Sequence, residues 1–592
     1  MLPSRVACAV TLFSAVLGTV LPGTYHQRRD APPDGFKAVS SASNEEILVF
    51  RIALAQKDFA GLEKALYEAS TPGSDTFGSY LSREETNRYI APSQDTVEAV
   101  TTWLTSNGLS ISDYSQGGDW ITVEATVAQA NKLLQADYVA YTHEGLNEPV
   151  LRTLSYSLPD EVKDHVVVIH PTVSFPSLSE PPSPYLHRIT STSNSTNIRR
   201  SAPISARALP ESCVPLSTGN TSDTIENWSK PFGLRCSLDV HGIPVVAPAS
   251  PRRGSSLWLS GFNNQFANKN SSRNFLKTWR PDLADRQLFD LVTITGGINN
   301  QLPAGAGFMI NQEMWRLVST AANVPITFMS VGTDASGDPL VWYLDQVEYL
   351  LTLDSPPKVL VHDGTMAERK ADPLLARRLC LAYGLLAARG VSIVMPVLLG
   401  GVEASFPSGA TCDFDVTFPA SCPYVTSVGG SQVQDGYESP PPSFISNSGG
   451  FSNLFPRPLY QLAAVQKFLN KLAPSVYQGR YNQFGRATPD VVLHQWLTPS
   501  PSTGFSLGTP AYAAALFGGA IALLNEELIA ARKPTLGFLN PLLYWHPDAF
   551  NDLAVGTNPG CNTQGFNSTS GWDPVTGLGS FNYQKLRAAA GL

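Results

Sequence analysis

The amino-acid sequence predicts an α/β protein in which a doubly wound parallel sheet follows a smaller α+β domain. Three observations carry that reading. The 592-residue chain is too long for one compact domain. A stretch rich in Ser, Pro, Thr and Asn, without apolar periodicity, separates two segments of globular composition. Beyond that stretch, short and nearly continuous apolar strands alternate with helices, the pattern of a parallel sheet covered on both faces.

In chain order, residues 1–23 read as a secretory signal. Arg5 supplies the positive charge, an apolar run extends from Val6 to Leu21, and Gly18 and Gly23 are small enough for cleavage. The run is short for a membrane anchor, so no span is expected after signal removal. Residues 24–175 form the first domain, with strands over 47–54, 120–124, 138–142 and 165–173 and helices over 62–69, 95–107 and 127–136. Residues 176–212 are the linker; its dibasic pair Arg199-Arg200 is open to a processing protease or stays uncut. Residues 213–592 form the second domain. Its strands are expected over 291–295, 326–331, 359–362, 392–397 and 424–428, with helices around 312–321, 341–353 and 374–389. Doubly wound sheets carry their sites beyond the carboxyl ends of the strands, here the loops after Val331, His362, Val397 and Val428.

Charge excludes one class of partner. The net charge is −8 and no basic stripe is present, so no nucleic acid is expected to bind, because phosphate recognition needs clustered Lys and Arg. Cys8 leaves with the signal. Cys213, Cys236, Cys380, Cys412, Cys422 and Cys561 remain, an even set suited to disulfides in an oxidising compartment, with the pairing left open. Sequons at Asn194, Asn220, Asn227, Asn270 and Asn567 fit a secreted glycoprotein, expected to be a monomer.

Ordered words along both domains resemble the sedolisin, or serine-carboxyl peptidase, family, most closely its secreted fungal tripeptidyl-peptidase branch. In the first domain these are Tyr80-Leu81-Ser82-Arg83-Glu84-Glu85, Ala91-Pro92-Ser93 and Val97-Glu98-Ala99-Val100. In the second, Ser260-Gly261-Phe262 with Gln265-Phe266-Ala267-Asn268 resembles the family's opening helix. Ala388-Arg389-Gly390-Val391-Ser392, Phe418-Pro419-Ala420-Ser421-Cys422-Pro423-Tyr424 and Ser448-Gly449-Gly450-Phe451-Ser452-Asn453 follow in order. Gly537-Phe538-Leu539-Asn540-Pro541 and Gly571-Trp572-Asp573-Pro574 close the chain. The resemblance implies a subtilisin-like sheet, a ferredoxin-like activation pro-domain of the pro-kumamolisin type, acid peptidase activity and one calcium ion. It also implies a Ser nucleophile, a Glu and an Asp four apart on one helix face, and an oxyanion-binding Asp. Such carboxyls can still accept a proton at acidic pH, where an imidazole is already charged.

The catalytic words are degenerate on this alignment. The general-base Glu falls on Met309 and its supporting Asp on Glu313; without the resemblance, the two read as core and rim of one helix. The oxyanion Asp falls on Leu399, and losing one such donor costs about a hundred- to a thousandfold in turnover. After Gly508-Thr509 the nucleophile position holds Pro510 in one register and Ala511 in the other, while Ser506 lies several residues early. Proline suits a helix's first turn, where no backbone N–H is needed. Four histidines follow the linker, His241, His362, His494 and His546, with no nucleophile word beside them.

The calcium positions implied by the resemblance are kept: Asp552, Leu553, Thr569, Gly571 and Asp573, two carboxylates with backbone carbonyls in a hard oxygen shell. The sequence therefore points to a secreted pseudopeptidase that binds peptides or a partner. Two rivals stand beside it. One is an active acid tripeptidyl peptidase or endopeptidase with relocated residues, or with a misread exon over 504–511. The other is a structural extracellular glycoprotein.

Overall fold

The computed structural model describes residues 25–176, 209–214, 233–247, 254–262, 265–302, 307–332, 337–398, 400–402, 414–434, 437–441, 449–473, 475–495 and 508–592. The signal, most of the linker with Arg199 and Arg200, three sequons (Asn194, Asn220, Asn227) and Cys412 lie outside these residues.

The first domain is built on a four-stranded antiparallel sheet, in the order Ile111–Tyr114, Trp120–Thr126, Ile47–Leu54, Val166–His170. Alternation along Ile47–Leu54 turns Leu48, Phe50, Ile52 and Leu54 onto helices Gln94–Ser106 and Val127–Leu134. The strand expected over 165–173 is shorter, ending at His170, because Pro171 has no N–H to continue the ladder. Helix Phe59–Ser70 starts earlier than expected because the Asp58 carboxylate accepts from the Gly61 amide. Helix Arg83–Ile90 was not anticipated, although Ser82 and Glu85 close a capping box at its start.

The second domain carries the long sheet. Its strand order is Asp290–Ile294, Ile326–Val331, Leu257–Gly261, Val359–His362, Ser392–Pro396, Thr426–Gln434, Val491–His494, Ser580–Phe581, Phe550–Asn551. Every pairing along this path is parallel except the last. Helices Lys269–Trp279, Phe308–Thr320 and Pro510–Ala530 cover one face, and Pro339–Thr352 and Pro373–Ala388 the other. This is the doubly wound α/β fold. One expectation needs correction: Ser260-Gly261 does not open a helix but ends strand Leu257–Gly261 in the middle of the sheet. Leu257 and Leu259 are fully buried there, and the helix begins only after the Asn268 cap. The strand expected over 424–428 instead runs Thr426–Gln434.

Helix Pro510–Ala530 is apolar all round and long enough to cross a membrane, but 83% of its most apolar window is buried inside the fold. It is a core helix lying against the sheet and against helix Phe308–Thr320. Disulfides join Cys213 to Cys236 and Cys380 to Cys422, and Cys561 is also disulfide-bonded, which answers part of the pairing the sequence left open.

The two domains share a core. Leu62, Leu66, Ile90 and Trp120 of the first pack with Leu375, Leu379 and Tyr424 of the second. Tyr80 is gripped between two glycines with positive φ: a Cβ on Gly537 would lie 2.1 Å from its Cζ, and one on Gly390 2.7 Å from its Cδ2. Its hydroxyl donates to the Leu536 carbonyl at 2.5 Å. Around this plug, Arg51 meets Asp345 at 2.5 Å, and Asp119 forms a buried ion pair with Arg378. Burial opposes the Asp119 charge, but Arg378 and hydrogen bonds from Gln56 and Ser115 outweigh it and hold the carboxyl below its usual range.

Glu348 stands in the same network with the opposite sign. Burial, joined by the Asp119 charge, pushes it up to about 7, against the pull of Arg51 and Arg378. An acid with a raised folded pKa contributes stability below its unfolded value of about 4.3, and that contribution is lost as pH rises towards 7. Glu348→Gln is therefore expected to stabilise the protein at pH 8 by on the order of 1–3 kcal/mol and to leave it unchanged at pH 4. Thermal unfolding at the two pH values checks this.

Candidate functional site

Two helices that start at the carboxyl edge of the sheet bring the predicted catalytic positions together. On Phe308–Thr320, Met309, Glu313 and Arg316 share one face through their i, i+4, i+7 spacing. Asn311 fixes the helix in place: its side chain accepts from the Asn268 amide at 2.8 Å and donates to the Phe266 and Gly307 carbonyls at 3.0 and 2.6 Å. Met309 is half-buried and brings a thioether where a base would stand. Arg316 is buried, donates to Ser237 Oγ at 3.0 Å and is lowered to about 10 by burial.

On the facing helix, Thr509 is the N-cap and Pro510 the first residue. Thr509, Pro510 and Ala511 are all buried, and the Thr509 hydroxyl accepts from the Ala511 amide at 3.5 Å. Neither register of the alignment thus gives a side chain able to attack a carbonyl. Leu399 and Ser506 lie outside the described residues.

A second carboxyl sits where sequence reasoning did not look. Asp363 heads the loop after strand Val359–His362, and its side chain is hydrogen-bonded to that of Glu313. Gln265 Nε2 donates to Asp363 Oδ2 at 3.3 Å. Glu313 is 1% exposed and Asp363 half-buried. Burial, together with the neighbouring Asp363 charge, pushes Glu313 well above the carboxylate range. Burial pushes Asp363 up to about 6, partly offset by the hydrogen bond from Glu313. Two such carboxyls hold one proton between them. The available signal was positional: the loop after His362 lies beyond a strand's carboxyl end, where this fold class keeps its sites.

The histidines belong to the framework. His362 accepts from the Gly364 amide at 2.9 Å, lies 3.1 Å from the Tyr383 hydroxyl and is driven to about 3 by burial, so it stays neutral. His494 Nδ1 meets Ser237 Oγ at 2.7 Å, but both residues are completely buried in the core. His241 Nε2 accepts from the His494 amide, and His546 lies on the surface near Asp548.

Residues 34–175 match the activation domain of the Pro-kumamolisin family. The chain is 28% identical over 591 residues to the probable tripeptidyl-peptidase SED4 of Arthroderma benhamiae, covering 94% of this chain and 92% of that protein. It is 27% identical over 677 residues to the tripeptidyl-peptidase sed1 of Aspergillus fumigatus, covering 98% of each. Over nearly its whole length the chain is similar to fungal tripeptidyl-peptidases, and its first domain to the Pro-kumamolisin activation domain. Among solved structures, Pseudomonas sedolisin, a serine-carboxyl proteinase, is 20% identical with a TM-score of 0.42, covering 58% of this chain and 95% of that one.

The second group of expected site residues lies near the C-terminus. Asp573 is fully buried and accepts from the amides of Thr569, Val575 and Thr576 at 2.8–2.9 Å and from the Thr576 hydroxyl at 3.2 Å. Burial still pushes it up to about 7. Asp552 is exposed and accepts from the Gly571 amide at 2.9 Å, which holds its loop against the 569–573 turn. Thr569 and Gly571, expected to offer carbonyls, thus turn their amides towards these carboxylates. Leu553 is half-buried beside Asp552. Among the described residues, no group of three His, Cys, Asp or Glu side chains is placed to hold a metal.

Proposed function

We propose that this chain is a secreted, non-catalytic member of the sedolisin family, whose cleft binds peptides or a protein partner without cleaving them. The observation that carries this reading is Pro510, buried as the first residue of the core helix at the position aligned with the nucleophile. Loss of a serine nucleophile alone costs on the order of a millionfold in turnover, and the other members of the unit do not compensate. Met309 supports the same conclusion, because a thioether cannot take a hydroxyl proton at working pH. The described disulfides and the exposed sequons Asn270 and Asn567 support an extracellular glycoprotein.

The reading includes one Ca²⁺ held by Asp552, Asp573 and carbonyls of Leu553, Thr569 and Gly571. One observation favours the ion: Asp573 is a fully buried carboxylate with no ion pair among the described residues, and a hard cation would hold it ionised; the Thr569 and Gly571 carbonyls would have to turn towards it, because their amides face the two carboxylates. The ion would tie the two loops together and leave the cleft chemistry to the protein. A chelator is expected to lower the melting temperature of the parent chain and to leave that of Asp552→Ala nearly unchanged. A parent melting temperature indifferent to chelator would count against the ion.

Calorimetry with N-terminally free peptides at acidic pH tests the main reading. Saturable binding is expected, with the peptide recovered intact. Peptides that neither bind nor are cleaved would favour a purely structural glycoprotein.

A further inference from the structure

Away from the cleft, a groove of about 1050 Å³ runs along the seam between the two domains. Helix Phe59–Ser70 of the first domain forms one wall through Ala60, Lys64 and Tyr67. The second domain forms the rest. Helix Pro373–Ala388 contributes Arg377 and Leu381, the end of strand Gly450–Pro456 contributes Phe455, and helix Asn540–Trp545 contributes Tyr544 and Trp545. Met309, Glu313, Asp363, Thr509 and Pro510 take no part in it. Because one wall belongs to the first domain, the groove exists only while that domain stays docked.

The groove is apolar where it is deep and cationic at its edge. Its aromatic rings touch one another: ring centroids are 6.3 Å apart for Tyr67 and Tyr460 and 5.2 Å for Tyr460 and Tyr544. At the rim, Leu459 and Trp545 are 74% and 62% exposed, two large apolar side chains left in water beside one cavity. The hydroxyls are already engaged. Tyr424 donates to Glu63 Oε1 at 2.9 Å, Tyr460 to the Pro423 carbonyl at 2.7 Å and Tyr544 to Asp490 Oδ1 at 2.9 Å. An extended peptide lying here would bury amides that need hydrogen-bond partners, whereas an alkyl chain needs none. The charges are not balanced. Lys64 is paired with Glu68 at 3.9 Å, and Glu63 is taken by Tyr424. Arg377 is exposed and Arg457 half-buried, and neither has a carboxylate partner among the described residues. Arg457 donates to the Gln483 carbonyl, while its buried Nε has no acceptor among the described residues.

We propose that this groove binds the anion of a long-chain fatty acid, with the alkyl chain on the aromatic floor and the carboxylate at the guanidinium groups of Arg377 and Arg457. Both halves of the ligand meet their match: apolar surface for the chain, and planar cations that bond a carboxylate with charge-assisted hydrogen bonds. The volume suits one such molecule. The ligand touches both domains at once, so its binding energy also holds the first domain to the second. The site lies outside the cleft and does not rest on the proposed binding of peptides there.

Titration calorimetry of the full-length secreted protein at pH 7.0 tests the site. The probes are octanoate, decanoate and dodecanoate, with decylamine as a chain of equal length and opposite charge and acetyl-hexaproline amide as an extended peptide. Affinity should rise about two- to fourfold for each added methylene, and decanoate should bind about tenfold more tightly than decylamine. Arg377→Gln and Trp545→Ala alter exposed side chains and should melt as the parent does. Each should weaken dodecanoate about threefold or more. An affinity that does not change with chain length would overturn the proposal, as would equal affinity for decanoate and decylamine. Dodecanoate binding that both substitutions leave unchanged would place the ligand elsewhere and overturn the site. Binding of the proline peptide in place of the carboxylates would make the groove a peptide site and overturn the fatty-acid assignment.

Discussion

The structure depends on one buried helix. Pro510–Ala530 has no polar face, so it is stable only because the sheet, helix Phe308–Thr320 and the C-terminal segment enclose it on all sides. That enclosure fixes its first turn at the carboxyl edge of the sheet. Pro510 meets the local requirement well: its missing N–H is one that a first-turn residue leaves unbonded, and its φ is already helical. On the proposed reading, the scaffold has kept the helix start without the chemistry mounted on it. The same enclosure buries Tyr512 within reach of the Glu313 charge.

Buried carboxyl groups in this domain are handled in three ways, and the contrast marks out the cleft. Asp490 is matched by Arg486 at 2.6 Å and accepts from the Ser427 amide and the Tyr544 hydroxyl, with both charged partners fully buried. Among the described residues Glu368 has no such cation, but it accepts from Ser452 Oγ and from the Asn453 and Leu454 amides, which anchor the strand Gly450–Pro456. Glu313 and Asp363 have neither solution. They share a hydrogen bond, and burial raises both above the usual carboxylate range.

Much of the architecture was legible because burial leaves a simple record. Parallel strands covered on both faces are runs of Val, Ile and Leu, and the expected strands over 326–331 and 359–362 agree with Ile326–Val331 and Val359–His362. Leu257–Gly261 escaped because its five residues end in Ser260-Gly261, which by composition suit a turn, and because a family word suggested a helix. Met309 and Pro510 drew notice in the sequence because each differs in chemical class from the residue the resemblance implies there. Asp363 was not, because its importance comes from a partner 50 positions away in sequence that only the fold brings near. The loops of Asp552 and Asp573 meet through the Gly571 amide, but sequence could not tell which backbone groups, amide or carbonyl, turn inward.

Turnover is the most direct test of the central claim that the fold persists without the chemistry. Purified secreted protein would be offered N-terminally free tripeptide and longer fluorogenic peptides from pH 3 to pH 7, beside its Glu313→Ala variant. The account predicts no cleavage above background by either. Cleavage by the parent that disappears in Glu313→Ala would contradict it.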